Sequence, residues 1–160
     1  MLPPVHIFTD GAAEENLPAT AGGMLLCVDL PGKEFFAYRI PAATLASWLD
    51  DGRKQAINQV ELHPVLTAAN TWSEQIRGRD VIFWIDNESA RHGLIRGVSP
   101  VHASNALIQS TWSTLVRLEV HPWFARVPSC GNPSDDPSRE ETAHLANKGW
   151  LDVSHKIQLG

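Results

Sequence analysis

The chain has 160 residues, 43% hydrophobic and 19% charged, which is enough for one domain with its own core, too little for two, and too apolar for disorder. No apolar run approaches the ~20 residues of a membrane span, and Met1-Leu2-Pro3-Pro4-Val5-His6 lacks the basic start and apolar stretch of a signal peptide. The formal net charge of −5, from 13 Lys+Arg against 18 Asp+Glu, excludes a protein held to nucleic acid by bulk basicity, but not one that meets phosphates through bound cations.

In chain order, Val5-His6-Ile7-Phe8-Thr9 is an apolar run of strand formers, ended by Asp10-Gly11. Gly22-Gly23 precedes a second strand over Met24–Val28. The turn pair Pro31-Gly32 leads into a third over Lys33–Ile40, so the first third predicts an antiparallel meander. Residues Pro41–Leu49 suit a short helix. Beyond them Leu62, Val65, Leu66, Ala69, Trp72 and Ile76 recur at helical spacing. Pro64 would cost an interior hydrogen bond there, which favours a start near Leu62. Val81-Ile82-Phe83-Trp84-Ile85 has the unbroken apolarity of a strand covered on both faces and ends at Asp86-Asn87. A short helix over Glu88–Leu94, a longer one over Val101–Leu118, a fifth strand over Trp123–Val127 and a terminal helix over Pro133–Ala146 follow, with a weakly ordered tail.

There is no internal repeat and no linker, so residues 1–160 read as a single domain with its core over about residues 5–145. The order predicts an α/β fold. Its mixed five-stranded sheet has three antiparallel strands, then two parallel ones, with helices on both faces. Cys27 and Cys130 stand in no metal-ligand spacing. Without a secretory signal they read as reduced thiols of an intracellular protein, cytoplasmic or nuclear and not secreted.

Three acids stand out by position. Asp10 ends the first strand, Asp86 ends the fourth, and Glu61 opens the long helix between them. If strands one and four are parallel neighbours, Asp10 and Asp86 emerge side by side at carboxyl ends, where open α/β sheets place their sites. A helix over strand one can aim Glu61 at the same point. Three converging carboxylates repel unless cations lie between them or their pKa values rise, and all-oxygen donors suit Mg²⁺ or Mn²⁺. Taken singly, any such Asp is more often a turn residue than a ligand.

Four segments together resemble the ribonuclease H family. They are Ile7-Phe8-Thr9-Asp10-Gly11-Ala12, Asn58-Gln59-Val60-Glu61-Leu62, Phe83-Trp84-Ile85-Asp86-Asn87-Glu88-Ser89-Ala90, and the run from Val127-Pro128-Ser129 through Asn132 and Asp135 to Ser138-Arg139. The last is most similar to the domains attached to reverse transcriptases of retroelements. The resemblance implies an endonuclease that hydrolyses the RNA strand of RNA–DNA hybrids. Asp10, Glu61, Asp86 and Asp135 would hold two Mg²⁺ (or Mn²⁺) ions about 4 Å apart, one serving the attacking water and the other the leaving oxygen. The expected products are a 5′-phosphate and a 3′-hydroxyl. The expected partners are the hybrid and a reverse-transcriptase polymerase domain.

In the family's motif the asparagine three residues before the glutamate touches substrate. This points to Asn58 as a reader of the ribose 2′-hydroxyl, with a helix N-cap or turn role as the plain alternative. The Gln59 amide and the backbone around Gly11 are further substrate-binding candidates. Arg53, Lys54, Arg77, Arg79, Arg91 and Arg96 are candidates for the DNA strand, each also readable as a solvated surface charge. The loop Ser129-Cys130-Gly131-Asn132 lacks the histidine that some relatives carry. Two other readings stay open: a non-catalytic module of the same fold that binds nucleic acid or a partner, and a related nuclease acting on DNA junctions.

Overall fold

The structure is a computed structural model and describes residues 1–14, 17–49, 52, 56–127, 132–134, 137 and 142–158. The first three strands, β1 (Val5–Ala12), β2 (Thr20–Leu26) and β3 (Lys33–Arg39), form the expected antiparallel meander. After α1 (Ala42–Trp48), α2 (Ile57–Thr71) and the short α3 (Ser73–Ile76), β4 (Asp80–Ile85) returns parallel to β1. Then α4 (Glu88–Arg96) and α5 (His102–Arg117) lead to β5 (His121–Arg126), parallel to β4. The chain closes with α6 (Ala143–Asn147), β6 (Trp150–Asp152) and a 3₁₀ turn over Ser154–Lys156. The strand order is β5-β4-β1-β2-β3-β6.

The sheet divides the hydrophobic interior. Val5, Ile7, Leu25 and Phe36 point to one face and pack with Val60, Val65, Ala69, Leu107 and Ile108 of α2 and α5. Their neighbours in sequence, Met24 and Phe35, point to the other face and pack on Leu145 of α6, as period-2 alternation requires. Burying about ten large side chains at 1.5–3 kcal/mol each is what sets the register.

Two expectations change. The described part of the tail takes regular structure: Trp150–Asp152 adds a sixth strand beside β3, and Val153, fully buried, donates its N–H to the Phe35 carbonyl at 2.9 Å. An edge strand offers unpaired N–H and C=O groups, and the tail satisfies those of β3. Three residues are too few for a legible period. The second change is in α2, which begins at Ile57 rather than near Leu62, so that Pro64 sits inside it. The apolar burial of Val60, Leu62, Val65, Ala68 and Ala69 outweighs the hydrogen bond that Pro64 cannot donate. Of the terminal helix expected over Pro133–Ala146, residues 135–136 and 138–141 lie outside the described residues.

The missing bond leaves the Val60 carbonyl without its i+4 donor, and β1 closes on that spot. A Cβ on Gly11 would lie 2.4 Å from the Val60 oxygen and 2.8 Å from its carbonyl carbon. Both atoms belong to backbone and cannot swing aside, so only glycine fits. Gly11→Ala is therefore expected to lower stability by about 1–3 kcal/mol through overpacking. A urea midpoint equal to that of the parent would refute this close approach.

Candidate metal centre

The parallel pairing of β1 with β4 places Phe8 opposite Trp84. Two residues further along each chain stand Asp10 and Asp86, so the sheet register itself aligns them. Asp10 does not end its strand, as the sequence suggested. β1 runs on to Ala12, paired with β2, while its β4 side is open beyond Phe8. Glu61 reaches the same point from the second turn of α2. One oxygen from each of Asp10, Glu61 and Asp86 lies within 4.8 Å of the other two. Asp10 and Glu61 are each 6% exposed and Asp86 is half-buried.

This concentration of charge is costly. Burial pushes the Glu61 carboxyl far above the usual carboxylate range, to about 9; the charges of Asp10 and then Asp86 push it further, and a hydrogen bond with Asp10 adds to the effect. The Gly11 N–H donates to Glu61 and opposes the rise. Glu61 Oε2 is buried without a hydrogen-bond partner. An orphaned buried carboxylate oxygen beside two further carboxylates is a donor set that fits a hard divalent cation.

The other site candidates fare differently. Asn58 is the second residue of α2, whose N-cap is Ala56, so the capping role is excluded. Its amide nitrogen donates to Ser104 Oγ at 2.7 Å, while its Oδ1 is buried with no partner. Gln59 is 3% exposed, and Gly11 is occupied by α2. Asp135 and Asp136 lie outside the described residues, as do Arg53, Lys54 and Cys130.

Two features were not legible in the sequence. Buried Asn132 donates from Nδ2 to the Thr9 carbonyl at 3.2 Å and accepts from the Ser134 N–H and hydroxyl at 3.0 and 2.6 Å. This clamp fastens the chain beside Asp10 and ends one residue before Asp135. The second is Glu88, which faces Arg91 and Arg126 at 3.4 Å and His92 at 3.1 Å, tying the start of α4 to β5. Asn132 stands in the closing motif, but nothing in the sequence shows its bonds to Thr9 and Ser134. The second needs the β5 register.

Of the candidate cations, Arg79 is corrected. It is 8% exposed, donating to Asp29 at 2.8 Å and to the Pro3 carbonyl at 2.6 Å, so it braces the sheet's far end. Arg77 pairs with Glu74, and Arg91 donates to the Phe124 carbonyl. Arg96 lines a cavity of about 310 Å³ with Asn58, Ser89, His92 and Ser99. Asn58 precedes Glu61 by three residues and Ser89 follows Asp86 by three, so this cavity flanks the acids.

No family model matches the sequence, nor does any curated protein. Solved structures do. Ribonuclease H1 of the halophilic archaeon Halobacterium salinarum is similar with a TM-score of 0.64 at 17% identity, over 89% of this chain and 99% of that one. The N-terminal RNase H domain of Rv2228c from Mycobacterium tuberculosis, solved as a fusion with maltose-binding protein, gives 0.64 at 14% identity over 91% and 97%. A foamy viral protease-reverse transcriptase in complex with double-stranded DNA gives 0.50 at 10% over 90% and 99%. The strand order, the mixed pairing and these likenesses lead to one conclusion: the chain has the ribonuclease H-like fold.

Proposed function

We propose that the chain is a metal-dependent ribonuclease H that hydrolyses the RNA strand of RNA–DNA hybrids. The observation that carries this reading is the convergence of Asp10, Glu61 and Asp86 within 4.8 Å, with one buried carboxylate oxygen unpartnered. In this reading the three acids hold Mg²⁺ or Mn²⁺, two ions in all, with Asp135 as the fourth ligand. Bound there, the ions supply charge neutralisation for the phosphodiester and its attacking water. The chain's own residues do the rest. The Gly11 N–H fixes Glu61, and the register of β1 on β4 fixes the spacing of the two aspartates. Ser104 accepts from the Asn58 amide nitrogen and so holds that side chain at the wall of the flanking cavity, where a ribose 2′-hydroxyl, the group that separates RNA from DNA, would be read. Arg96 and His92, beside Asn58 in the flanking cavity, are placed for backbone phosphate.

Among the described residues no helix is long and apolar enough to cross a membrane. With a net charge of −5, intrinsic affinity for the hybrid is expected to be weak and salt-dependent. A reverse-transcriptase polymerase domain as partner would supply the missing grip, and the likeness to the foamy viral chain supports that association. The test is incubation with labelled hybrid, duplex DNA, duplex RNA and a four-way junction, with Mg²⁺ or Mn²⁺. RNA cutting confined to the hybrid is expected. Cutting of the junction alone would replace this reading by the DNA nuclease, and binding without cutting by the non-catalytic module.

The fourth ligand gives a sharper expectation. The clamp formed by Asn132 and Ser134 sets the chain at β1 one residue before Asp135. Asp136 follows about 100° further round if that stretch is helical, so the two carboxylates cannot share one direction. Asp135→Asn is expected to lose most activity, with partial recovery in high Mn²⁺, and Asp136→Asn to stay near the parent. The reverse pattern would shift the motif by one residue.

A further inference from the structure

A second cavity, of about 300 Å³, lies away from the acids, between α1, α2 and the C-terminal segment. Thr44 and Trp48 come from α1, His63, Asn70 and Thr71 from α2, and Gln158 from the tail. None of the described side chains lining it is Asp, Glu, Lys or Arg. Nothing in the proposed nuclease chemistry uses it.

The protons of one hydrogen-bonded chain define its chemistry. Thr67 Oγ1 stands 3.0 Å from the His63 carbonyl, which can only accept, so the threonine hydroxyl donates there. Tyr38 Oη stands 3.0 Å from Thr67 Oγ1 and must then be the donor to it. Tyr38 Oη also stands 2.6 Å from His63 Nδ1, and with its proton already committed it accepts from Nδ1–H. All three bonds are made together in this one direction. His63 is then the Nδ1–H tautomer, and Nε2 carries a bare lone pair. Among the described residues none is bonded to Nε2, and the His63 ring lines the cavity. Trp48 braces the imidazole, with ring centres 5.6 Å apart at 59°.

We propose that this cavity is a binding site for a small uncharged ring bearing an N–H or O–H donor, recognised by the His63 Nε2 lone pair. The volume sits at the lower end of ligand pockets and suits a single ring. The lack of charge among the described walls disfavours an ion, whose charge would stay unpaired. A transition metal would need further His, Cys or carboxylate ligands, and the described lining has none. The amides of Asn70 and Gln158 and the hydroxyls of Thr44 and Thr71 fit a ligand with polar edges. Trp48, Leu66 and Leu107 fit its apolar body.

Phenol is a suitable probe, with anisole, the same ring with its O–H capped by methyl, as control. Titrated into ¹⁵N-labelled protein at pH 7, phenol is expected to shift the amides of Thr44, Trp48, Asn70 and Thr71. It should bind about fivefold more tightly than anisole, the typical worth of one hydrogen bond. A long-range ¹H–¹⁵N spectrum of the parent should show a pyrrole-type Nδ1 and a pyridine-type Nε2 on His63. Tyr38→Phe removes the acceptor that holds this tautomer, and the preference for phenol should shrink towards one. An Nε2–H tautomer in the parent, equal binding of phenol and anisole, or shifts confined to other surfaces would each overturn the proposal. None of these readouts depends on cleavage, so the site and the nuclease reading stand or fall separately.

Discussion

Asp86→Asn is expected to cut hybrid cleavage by about a thousandfold or more, on the scale of removing a preorganised group that acts on transition-state charge. The change is nearly isosteric, and Asp86 is half-buried at the end of β4, outside the hydrophobic interior. The fold should therefore persist, with an unchanged far-ultraviolet spectrum and a cooperative melt. Asp10→Asn should behave alike, because the register of β1 on β4 makes the two aspartates equivalent walls of one site. Their effects should not add: once one wall is lost, removing the second costs little more. A folded Asp86→Asn protein that cuts at the parent rate would falsify the proposed metal centre.

Glu61→Gln is expected to raise stability in chelator, and by an amount that grows with pH. The Glu61 carboxyl in the folded chain titrates near 9, against an ordinary value of 4.5. Between these two pH values the folded state binds more protons than the unfolded one. Stability from this group is therefore fully present below about pH 4.5 and drains away as pH rises towards 9. The glutamine variant carries no such slope. At pH 8 it should be more stable than the parent by several kcal/mol, since each of the roughly 3.5 pH units above 4.5 is worth about 1.36 kcal/mol, and near pH 4.5 the two should converge. His63 contributes an opposite slope: its depressed imidazole costs stability as pH falls from 6.5 to about 4. That slope is common to both proteins and cancels in their difference. Saturating Mg²⁺ should stabilise the parent by about 2.7 kcal/mol at a hundredfold excess over Kd, and should do much less for the variant. Parallel pH profiles of parent and variant in chelator would sink the argument that the acids repel one another.

The sequence alone carried the meander, the strand–helix alternation and the place of the three acids, because each rests on short-range physics. Val81–Ile85 reads as a strand with the sheet stopping beside it, although the expected cover on both faces is incomplete: Val81, Phe83 and Ile85 are buried, while Ile82 and Trp84 on the other face are half-buried. Side-chain period and turn residues act within one element and are written in consecutive letters. Tertiary packing decided what depends on partners distant in the chain. Pro64 stays within α2 because five buried apolar side chains on that helix outweigh one lost hydrogen bond. Gly11 has to be glycine because the Val60 carbonyl closes on it, a contact between distant residues. Arg79, an apparent surface cation, closes on Asp29 and Pro3, 50 and 76 residues away. The tail becomes a strand only because β3 has an edge to fill. The lone pair on His63 exists only because Tyr38, 25 residues earlier, fixes its tautomer. In each case local preference is worth a few tenths to one kcal/mol per residue, while burial or an unmet hydrogen bond is worth several times that. Burial and hydrogen bonding therefore win, and both depend on neighbours that the chain acquires only by folding.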